Sequence, residues 1–263
     1  MGVIIEKMSE VLPVFKSQYS LGRSILTLEN PNDVQESGPD SIVKISQEND
    51  LKQTVIVDDS MTGFLQAYRN FQDIASDLVF GLRLTVCPDI EEKSEDSIKK
   101  SCKYLILCKN TDGYKRLIKI SSIASKDGFY YNPRIDFKNL KDNWSNKDLL
   151  LVVPFYDSFI FYNSLTTNIC VPDLNFTDPV FFEEDNDLPF DDLISCAVKD
   201  FTKSGSEYQL IKTKSIFYKN KKNFKSYLTF RCINNRSTLD KPQLDHMSSD
   251  EFCFESWEEQ NNG

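Results

Sequence analysis

Residues 103–137 read KYLILCKNTDGYKRLIKISSIASKDGFYYNPRIDF and carry the clearest fold signal in the chain. KYLILC is a short apolar run of the kind that forms a buried strand, and polar turn residues follow it. The next residues recur at helical spacing, which predicts an amphipathic helix whose inner face carries Tyr114, Leu117, Ile118, Ser121 and Ala124. A glycine-aromatic turn closes the stretch. A strand followed by a helix and a turn is the repeating unit of an α/β fold.

The same alternation continues on both sides of this stretch. We predict strands at residues 54–59, 78–87, 149–155, 159–165, 179–184 and 208–217, where apolar and β-branched residues are concentrated. We predict three further helices. The first follows Ser60, a candidate N-cap, the second runs from Phe190 to near Gly205, and the third begins at Phe224. Strands that alternate with helices favour a mostly parallel sheet or barrel. No repeat or linker divides the sequence, so we expect one domain.

The composition is that of a soluble globular protein. The chain has 263 residues, 40% of them hydrophobic, with a mean hydropathy of -0.40. No apolar run approaches the roughly 20 residues that cross a bilayer. The first residues, MGVIIEKMSE, place their charges after the apolar positions, unlike a secretory signal. We therefore expect a cytoplasmic protein that has no contact with a membrane.

Charge and cysteine content argue against a nucleic-acid-binding protein and against a zinc-binding protein. The net charge of -9 argues against a free-standing nucleic-acid binder, which presents a basic face to phosphates. The basic run KNKKNFK (219–225) is interpreted as the solvated start of a helix. The seven cysteines are scattered without a Cys-x-x-Cys pair, which favours reduced, mostly buried thiols over zinc ligands. Cys196 is expected on the apolar face of its helix.

Several segments resemble one family in the order in which that family carries them. The pieces LILCKN, DGYKRLIKISS and GFYYNPRID within residues 103–137 are similar to the polymerase and histidinol phosphatase (PHP) domain of bacterial DNA polymerase III alpha subunits. VFKSQYSL (14–21) resembles its opening His-x-His-x-x-Tyr-Ser motif, and IVDDSMTGFLQAYR (56–69) its Asp-His strand end and helix. Residues 217–242 and 248–259 look like the closing helix and C-terminal segment. The resemblance is weakest over 22–50 and 138–180.

This resemblance implies a fold and an ancestral chemistry. The fold is a distorted seven-stranded (β/α) barrel of the PHP type, here one PHP-like domain over 1–263 with a core of about 13–245 and a C-terminal segment at 246–263. In active members, the carboxyl ends of the strands hold a cluster of divalent metals that activates water to cut a phosphoester. Such a cluster needs many His, Asp and Glu ligands.

At the family's ligand positions this sequence departs from that pattern. The two opening histidines fall on Val14 and Lys16, and the Asp-His pair on Asp58 and Asp59. The remaining family ligands fall on Arg83, Lys103, Asn186, Ser215 and Phe217. The whole chain has one histidine, His246, in a polar tail segment. We therefore expect no metal, no cofactor and no catalytic residue of the ancestral kind.

Three of these positions, Lys16, Arg83 and Lys103, carry a positive charge, while Asp58 and Asp59 remain acidic. Aspartates that lose a metal repel each other in a poorly solvated pocket, and a cationic side chain can supply the missing charge and hydrogen bonds. We predict that Arg83 or Lys103 pairs with Asp58 or Asp59 in place of the metal. The alternative is unconstrained drift on an exposed face.

Two other signals have ordinary explanations. The acidic patch FEEDNDLPFDD (182–192) is typical of a strand end followed by a helix N-terminus, where acids favour the dipole, although a new metal site is an alternative. His246 is expected to be a lone surface histidine, which leaves no catalytic triad. No glycine-rich phosphate-binding motif is present.

These observations favour a catalytically inactive PHP-like module that acts as a scaffold in DNA replication. The resemblance implies a protein partner, either DNA polymerase or a proofreading exonuclease subunit, and direct nucleic-acid binding is not expected. Phe129, Tyr130 and Tyr131 are candidate partner contacts. The chain is interpreted as a stand-alone product, for example of a phage, or as the excised front of a larger polymerase. The alternatives are an acidic regulator that binds a host protein, and a residual metal-dependent phosphoesterase or exonuclease.

Overall fold

The computed structural model describes residues 11–35, 37–204, 208–240 and 249–262, in which strands and helices alternate. The strands are β1 (Leu12–Phe15), β2 (Gln53–Asp58), β3 (Asp77–Cys87), β4 (Cys102–Cys108), β5 (Arg134–Asp136), β6 (Leu149–Val153), β7 (Val180–Glu183) and β8 (Gln209–Ile216). The helices are α1 (Ile42–Glu48), α2 (Phe64–Asn70), α3 (Glu95–Lys99), α4 (Thr111–Lys126), α5 (Phe137–Asp142), α6 (Phe159–Leu165), α7 (Asp191–Ser204), α8 (Phe224–Asn235) and α9 (Phe254–Asn262). A 3-10 turn, Lys221–Asn223, precedes α8.

The strands pair in the order β2-β1-β8-β7-β6-β4-β3-β5, and β2 also pairs with β3. Seven strands therefore form a closed ring, and β5 adds to β3 outside it. β4 runs antiparallel to both β3 and β6, whereas β1 is parallel to β2 and β8, and β7 is parallel to β6 and β8. This mixed α/β arrangement confirms the predicted seven-stranded PHP-type barrel.

The contacts of the chain fall into two compact units. The first unit is built mainly from Gly81–Glu184 and Phe190–Lys212. The second takes the described residues up to Phe80, together with Asp185–Pro189 and the described residues from Thr213 onward. The expectation of a single domain over 1–263 stays a prediction.

In the first unit, α4 confirms the predicted helix and the burial of Leu117 and Ala124, but not the burial of Ile118. Its buried residues are Gly113, Leu117, Ile120 and Ala124, whereas Ile118 is 41% exposed. Asn110 caps the helix, because its side chain accepts a hydrogen bond from the Gly113 N–H at 2.9 Å. A Cβ on Gly113 would lie 2.2 Å from the Asp148 carbonyl oxygen. The absence of a side chain at Gly113 thus sets how closely the helix approaches the segment before β6.

Other sequence predictions for local structure were wrong. FIFYNSL (159–165), predicted as a strand, is α6, and the Ser158 side chain caps it by accepting from the Phe161 N–H. A short apolar run does not distinguish a strand from a helix, whereas an N-cap such as Ser158 favours a helix. Helix α2 begins at Phe64 after Gly63, so Ser60 is not its N-cap. Cys196 is exposed rather than on the buried face of α7.

In the second unit, the segment 249–262 packs against the end of β8. Phe217 stacks on Phe252 with ring centroids 5.4 Å apart, and Phe15 stacks on Phe254 at 6.0 Å. The Phe217 N–H donates to the Phe252 carbonyl at 3.0 Å. The Trp257 indole donates to the Val11 carbonyl at 2.8 Å. The aromatic residues of this segment therefore complete the core of the second unit.

The basic run 219–225 forms the 3-10 turn and the first residues of α8, as predicted for a helix start. Two of its lysines pair with glutamates. The Lys219 Nζ lies 3.4 Å from a Glu48 carboxylate oxygen. The Lys221 Nζ lies 3.1 Å from a carboxylate oxygen of Glu251 and 2.9 Å from one of Glu259. These pairs offset much of the positive charge that phosphates would need. No helix within the described ranges combines the length and apolar character of a membrane span.

Candidate functional site

In the second unit, the carboxyl ends of three neighbouring strands bring several predicted site residues together. β1 lies between β2 and β8, and all three strands run in parallel. Val14 is in register with Val55 on one side and with Ser215 on the other. Lys16 directly follows β1, while Asp58 ends β2. Since parallel strands end at the same edge of a sheet, these side chains share that edge.

Asp58 is fully buried and is held by hydrogen bonds from the segment after β1. Its Oδ1 accepts from the Ser17 N–H at 2.9 Å and from the Ser20 hydroxyl at 2.8 Å. Its Oδ2 accepts from the Ser17 hydroxyl at 2.6 Å. The Ser20 hydroxyl also accepts from the Asp59 N–H at 2.9 Å, so one serine joins both strand ends. Both Asp58 carboxylate oxygens are thus satisfied by protein donors.

The second aspartate, Asp59, forms an ion pair with Lys16. The Lys16 Nζ lies 3.4 Å from Asp59 Oδ1, and the side chains are 9% and 29% exposed. Lys16 occupies the position where the resemblance places the second histidine of the opening motif. A fixed ammonium group therefore neutralises one of the two aspartates at this edge of the sheet. The sequence predicted that a cation would take this role but assigned it to Arg83 or Lys103.

The other predicted positions of the second unit have little or no exposure. Val14 and Phe217 are each 7% exposed, and Asn186 is completely buried. Phe217 is an aromatic core residue, because it stacks on Tyr227 as well as on Phe252. Ser215 is partly buried within β8. His246 lies outside the described residues.

In the first unit, Arg83 and Lys103 lie on the paired strands β3 and β4. The Arg83 guanidinium forms a salt bridge and hydrogen bond with Asp157, in the turn after β6. Asp157 adopts a left-handed backbone conformation with φ of 62°, which asparagine and aspartate tolerate best among residues with a side chain. Its Oδ1 accepts from the Tyr162 hydroxyl at 3.2 Å, and its carbonyl accepts from the Lys103 N–H at 2.8 Å.

Lys103 contacts a neighbour across the same strand pair. Its Nζ donates to the Thr85 hydroxyl at 2.6 Å, and the two residues are in register between β4 and β3. Within the first unit, then, Asp157 is a partner of Arg83 and Thr85 is a partner of Lys103. The proposed pairing of Arg83 or Lys103 with Asp58 or Asp59 stays a prediction. Sequence reasoning missed Asp157, since no family motif marks it.

The acidic patch 182–192 has the ordinary structure that its sequence suggested. It contains the end of β7 and the first turn of α7, which carries Asp191 and Asp192. Glu183 pairs with Lys199 at 2.6 Å and accepts from the Ser195 hydroxyl. Burial raises the pKa of Glu183, but the hydrogen bonds from Lys199 and Ser195 outweigh it, and the pKa lies below its ordinary value. Asp191 accepts from the Tyr156 hydroxyl at 3.0 Å.

The residues at the ligand positions do not fit the divalent metal cluster that the family implies. Divalent metals in such sites are bound by imidazole and carboxylate groups. Here Asp58 is satisfied by three protein donors, Asp59 is paired with an ammonium group, and Val14 and Phe217 have no donor atom. In the part of the chain that the structure describes, no three His, Cys, Asp or Glu side chains are grouped to hold a metal ion.

Comparison with known proteins finds similarity over part of the chain. Over 86 residues the chain is 33% identical to DNA polymerase III subunit alpha of Chlamydia muridarum, an alignment that covers 32% of this chain and 7% of that relative. The subunits of the same name from Borreliella burgdorferi and Aquifex aeolicus are 46% and 44% identical over 50 residues, covering 19% and 18% of this chain and 4% of each relative. The chain thus matches less than a tenth of the length of these curated relatives. The PHP domain profile matches residues 35–164, so this part of the chain is similar to a PHP domain.

Proposed function

We propose that this chain is a non-catalytic PHP domain that serves as a scaffold or protein-interaction module in bacterial or phage DNA replication. The observation that carries the proposal is the Lys16–Asp59 ion pair beside the fully hydrogen-bonded Asp58. In this arrangement the Lys16 ammonium group supplies the positive charge that a metal ion would otherwise bring to Asp58 and Asp59. A fold can persist in this way after its ancestral chemistry is lost, because fold and function are separable.

The physical reason is electrostatic. Two adjacent aspartates at a strand end need positive charge or hydrogen-bond donors to stay ionised in a poorly solvated place. Lys16 supplies the charge to Asp59, while Ser17 and Ser20 supply donors to Asp58. A divalent ion that entered would have to displace the ammonium group and break hydrogen bonds of 2.6 to 2.9 Å. The arrangement therefore favours a metal-free pocket.

The partner is proposed from the comparisons. The matched relatives are DNA polymerase III alpha subunits, so we propose that the partner is the polymerase body or a proofreading exonuclease subunit, in the bacterial cytoplasm. Phe129 and Tyr131 are 51% and 74% exposed in the turn before β5 and offer apolar contact area. Direct nucleic-acid binding is disfavoured by the net charge of -9 and by the lysine–glutamate pairs of the basic run.

Metal content and hydrolysis test the non-catalytic part. The purified chain is loaded with zinc, manganese or iron, dialysed, and assayed for bound metal and for cleavage of a generic phosphodiester. We expect substoichiometric metal and no turnover above the Asp58→Ala variant. Stoichiometric metal together with turnover that Asp58→Ala abolishes would establish instead a residual phosphoesterase or exonuclease.

Binding measurements test the scaffold part. The chain is mixed with the polymerase body and with the exonuclease subunit of the same replication system, and complexes are detected by size-exclusion chromatography and light scattering. The Tyr131→Ala variant is compared with Ser125→Ala, which changes an exposed position on α4. We expect the chain to form a complex that Tyr131→Ala weakens and that Ser125→Ala leaves intact. Binding to neither replication protein would contradict the scaffold proposal and favour an acidic regulator of another host protein.

A further inference from the structure

Arg231 carries a positive charge into the interior of the second unit. It lies on the inner face of α8 and is 2% exposed. Arginine keeps its proton in proteins, so burial does not remove this charge. A buried charge is strongly unfavourable unless another charge compensates it. The guanidinium of Arg231 therefore requires a negatively charged neighbour.

The protein contacts of Arg231 are to one neutral side chain. Its Nη1 donates to the Tyr227 hydroxyl at 3.1 Å, and its guanidinium carbon lies 5.8 Å from the centre of the Tyr227 ring. Its Nε is buried and has no hydrogen-bond acceptor. Among the residues that the structure describes, no carboxylate forms an ion pair with Arg231. A phenol and a ring face leave most of the charge uncompensated.

The surroundings of this pair are aromatic and shielded from solvent. Tyr227 and Tyr218 are both completely buried, and their ring centroids are 4.9 Å apart. Phe217 stacks on Tyr227 at 5.8 Å. Electrostatic interactions are stronger in such a low-dielectric interior than in water. The attraction of Arg231 for an opposite charge is correspondingly large.

Tyr227 provides a second donor beside Arg231. Its hydroxyl oxygen accepts from Arg231, and within the described ranges its proton has no acceptor. Burial raises the pKa of Tyr227, although the charges of Arg231 and Arg23 oppose this rise, so the hydroxyl stays protonated and can donate. A guanidinium N–H and a phenol O–H that both lack an acceptor are the donor types that bind an anion.

We propose that Arg231 and Tyr227 bind a halide ion, with chloride as the biological one, in the interior of the second unit. The size of the ion follows from burial, because a nucleotide or a phosphorylated peptide cannot reach side chains that are 2% and 0% exposed. A small monovalent ion matches the single charge of Arg231 and can be enclosed as the chain folds. This site is independent of the proposed scaffold role and couples the stability of the second unit to chloride concentration.

Thermal unfolding of the full-length chain tests the proposal. Melting temperatures are compared in sodium chloride and in sodium gluconate at equal ionic strength. A ligand that binds the folded state alone raises the melting temperature in a saturable way. We expect chloride to raise it by at least about 2 °C over gluconate. Arg231→Met, which removes the charge but keeps an apolar stem, should abolish the difference. Arg69→Met, at an exposed arginine of α2, should keep it.

Equal melting temperatures of the wild-type chain in chloride and gluconate would overturn the proposal. So would a chloride effect that Arg231→Met retains, or stabilisation by phosphate but not by chloride. Should Arg231→Met fail to fold, crystals of the wild-type chain grown in sodium bromide decide the outcome. We expect an anomalous bromide peak within hydrogen-bonding distance of the Arg231 Nε, and a structure without that peak would refute the site.

Discussion

Lys214 is completely buried, and its ammonium group lies 3.4 Å from the Glu251 carboxylate. Its Nζ also donates to the Asp185 carbonyl at 3.1 Å. A lysine is almost never fully buried unless it is paired, so this contact links the interior of β8 to the segment 249–262.

Removing the buried lysine should destabilise the second unit strongly. Removing the ammonium group leaves the Asp185 carbonyl and the partly exposed Glu251 carboxylate without this donor, and a buried group left unsatisfied costs about 1–3 kcal/mol of unfolding free energy. We therefore expect Lys214→Ala to lose this amount and Lys214→Met, which keeps the apolar stem, to lose less. Urea unfolding measures both. Lys212→Ala, at an exposed position of the same strand, is the control and should change little. Equal losses for Lys212→Ala and Lys214→Ala would contradict the prediction.

The Glu251 contribution should depend on pH. Burial raises the pKa of Glu251, but the hydrogen bond from Lys221 and the charge of Lys214 outweigh it, so the folded-state pKa lies below its ordinary value of 4.5. A depressed carboxyl pKa stabilises the folded state above the unfolded-state pKa and loses that effect as the pH falls through the folded-state pKa. The difference in unfolding free energy between wild type and Glu251→Gln should thus be present at neutral pH. It should shrink below a pH of about 4.3. A difference that does not change across this range would refute the linkage.

The hydrogen bonds to Asp58 should be worth several kcal/mol. Asp58→Ala leaves the Ser17 N–H and the Ser17 and Ser20 hydroxyls without their acceptor in a buried place. Since a buried unsatisfied group costs about 1–3 kcal/mol, we expect a loss of at least about 3 kcal/mol. Asp73→Ala, an exposed aspartate of the second unit, should have an effect within about 0.5 kcal/mol. Denaturant titration of both variants provides the measurement.

Gly113→Ala should destabilise the chain, contrary to helix propensity. Alanine is better than glycine in a helix interior by about 1 kcal/mol. Here its Cβ would lie 2.2 Å from the Asp148 carbonyl oxygen, and relieving such overpacking costs about 1–3 kcal/mol. Thermal unfolding should show a lower melting temperature for Gly113→Ala than for Ser125→Ala, an exposed control on the same helix. A raised melting temperature for Gly113→Ala would show that α4 does not approach Asp148 this closely.

Alkylation should distinguish the thiols by exposure and acidity. Cys196 is exposed, whereas burial raises the pKa of Cys108 to about 12 and that of Cys87 to about 11. Because the thiolate is the reactive form, iodoacetamide at mildly alkaline pH should modify Cys196 first and Cys108 far more slowly, although Cys108 is only half-buried. Peptide mass spectrometry over time gives the order of modification. Faster reaction at Cys108 than at Cys196 would contradict it.

The sequence predicts most barrel strands because apolar runs bounded by turns are local signals, but it does not mark β1 (Leu12–Phe15) as a strand. Residues 54–59, 103–108 and 208–217 each correspond to a strand of the structure within one residue at either end. The failures are also local in origin. The run 159–165 is apolar enough for either a strand or a helix, and the cap at Ser158 favours the helix.

The candidate site was predicted in part. The positions of Asp58, Asp59 and Lys16 follow from the order of motifs along the chain, and β1 and β2 bring them to one edge. Which cation meets which aspartate depends on register and on turn geometry, which no motif encodes. Lys16 pairs with Asp59 because both residues follow the ends of adjacent parallel strands. Arg83 meets Asp157 because a left-handed residue turns the chain after β6.

The placement of 249–262 against β8 bears on how the chain folds as it is made. The strands of the first unit lie within residues 81–212, so all of its described sequence has been translated once Lys212 leaves the ribosome. The second unit joins β1 to a segment more than 200 residues further along, since Phe254 stacks on Phe15. Its core is therefore incomplete until that segment has been translated, because Phe15 and Phe217 each lack a stacking partner before then. Contacts so distant in sequence close slowly. Synthesis from the amino terminus thus sets an order of assembly in which the second unit is completed last.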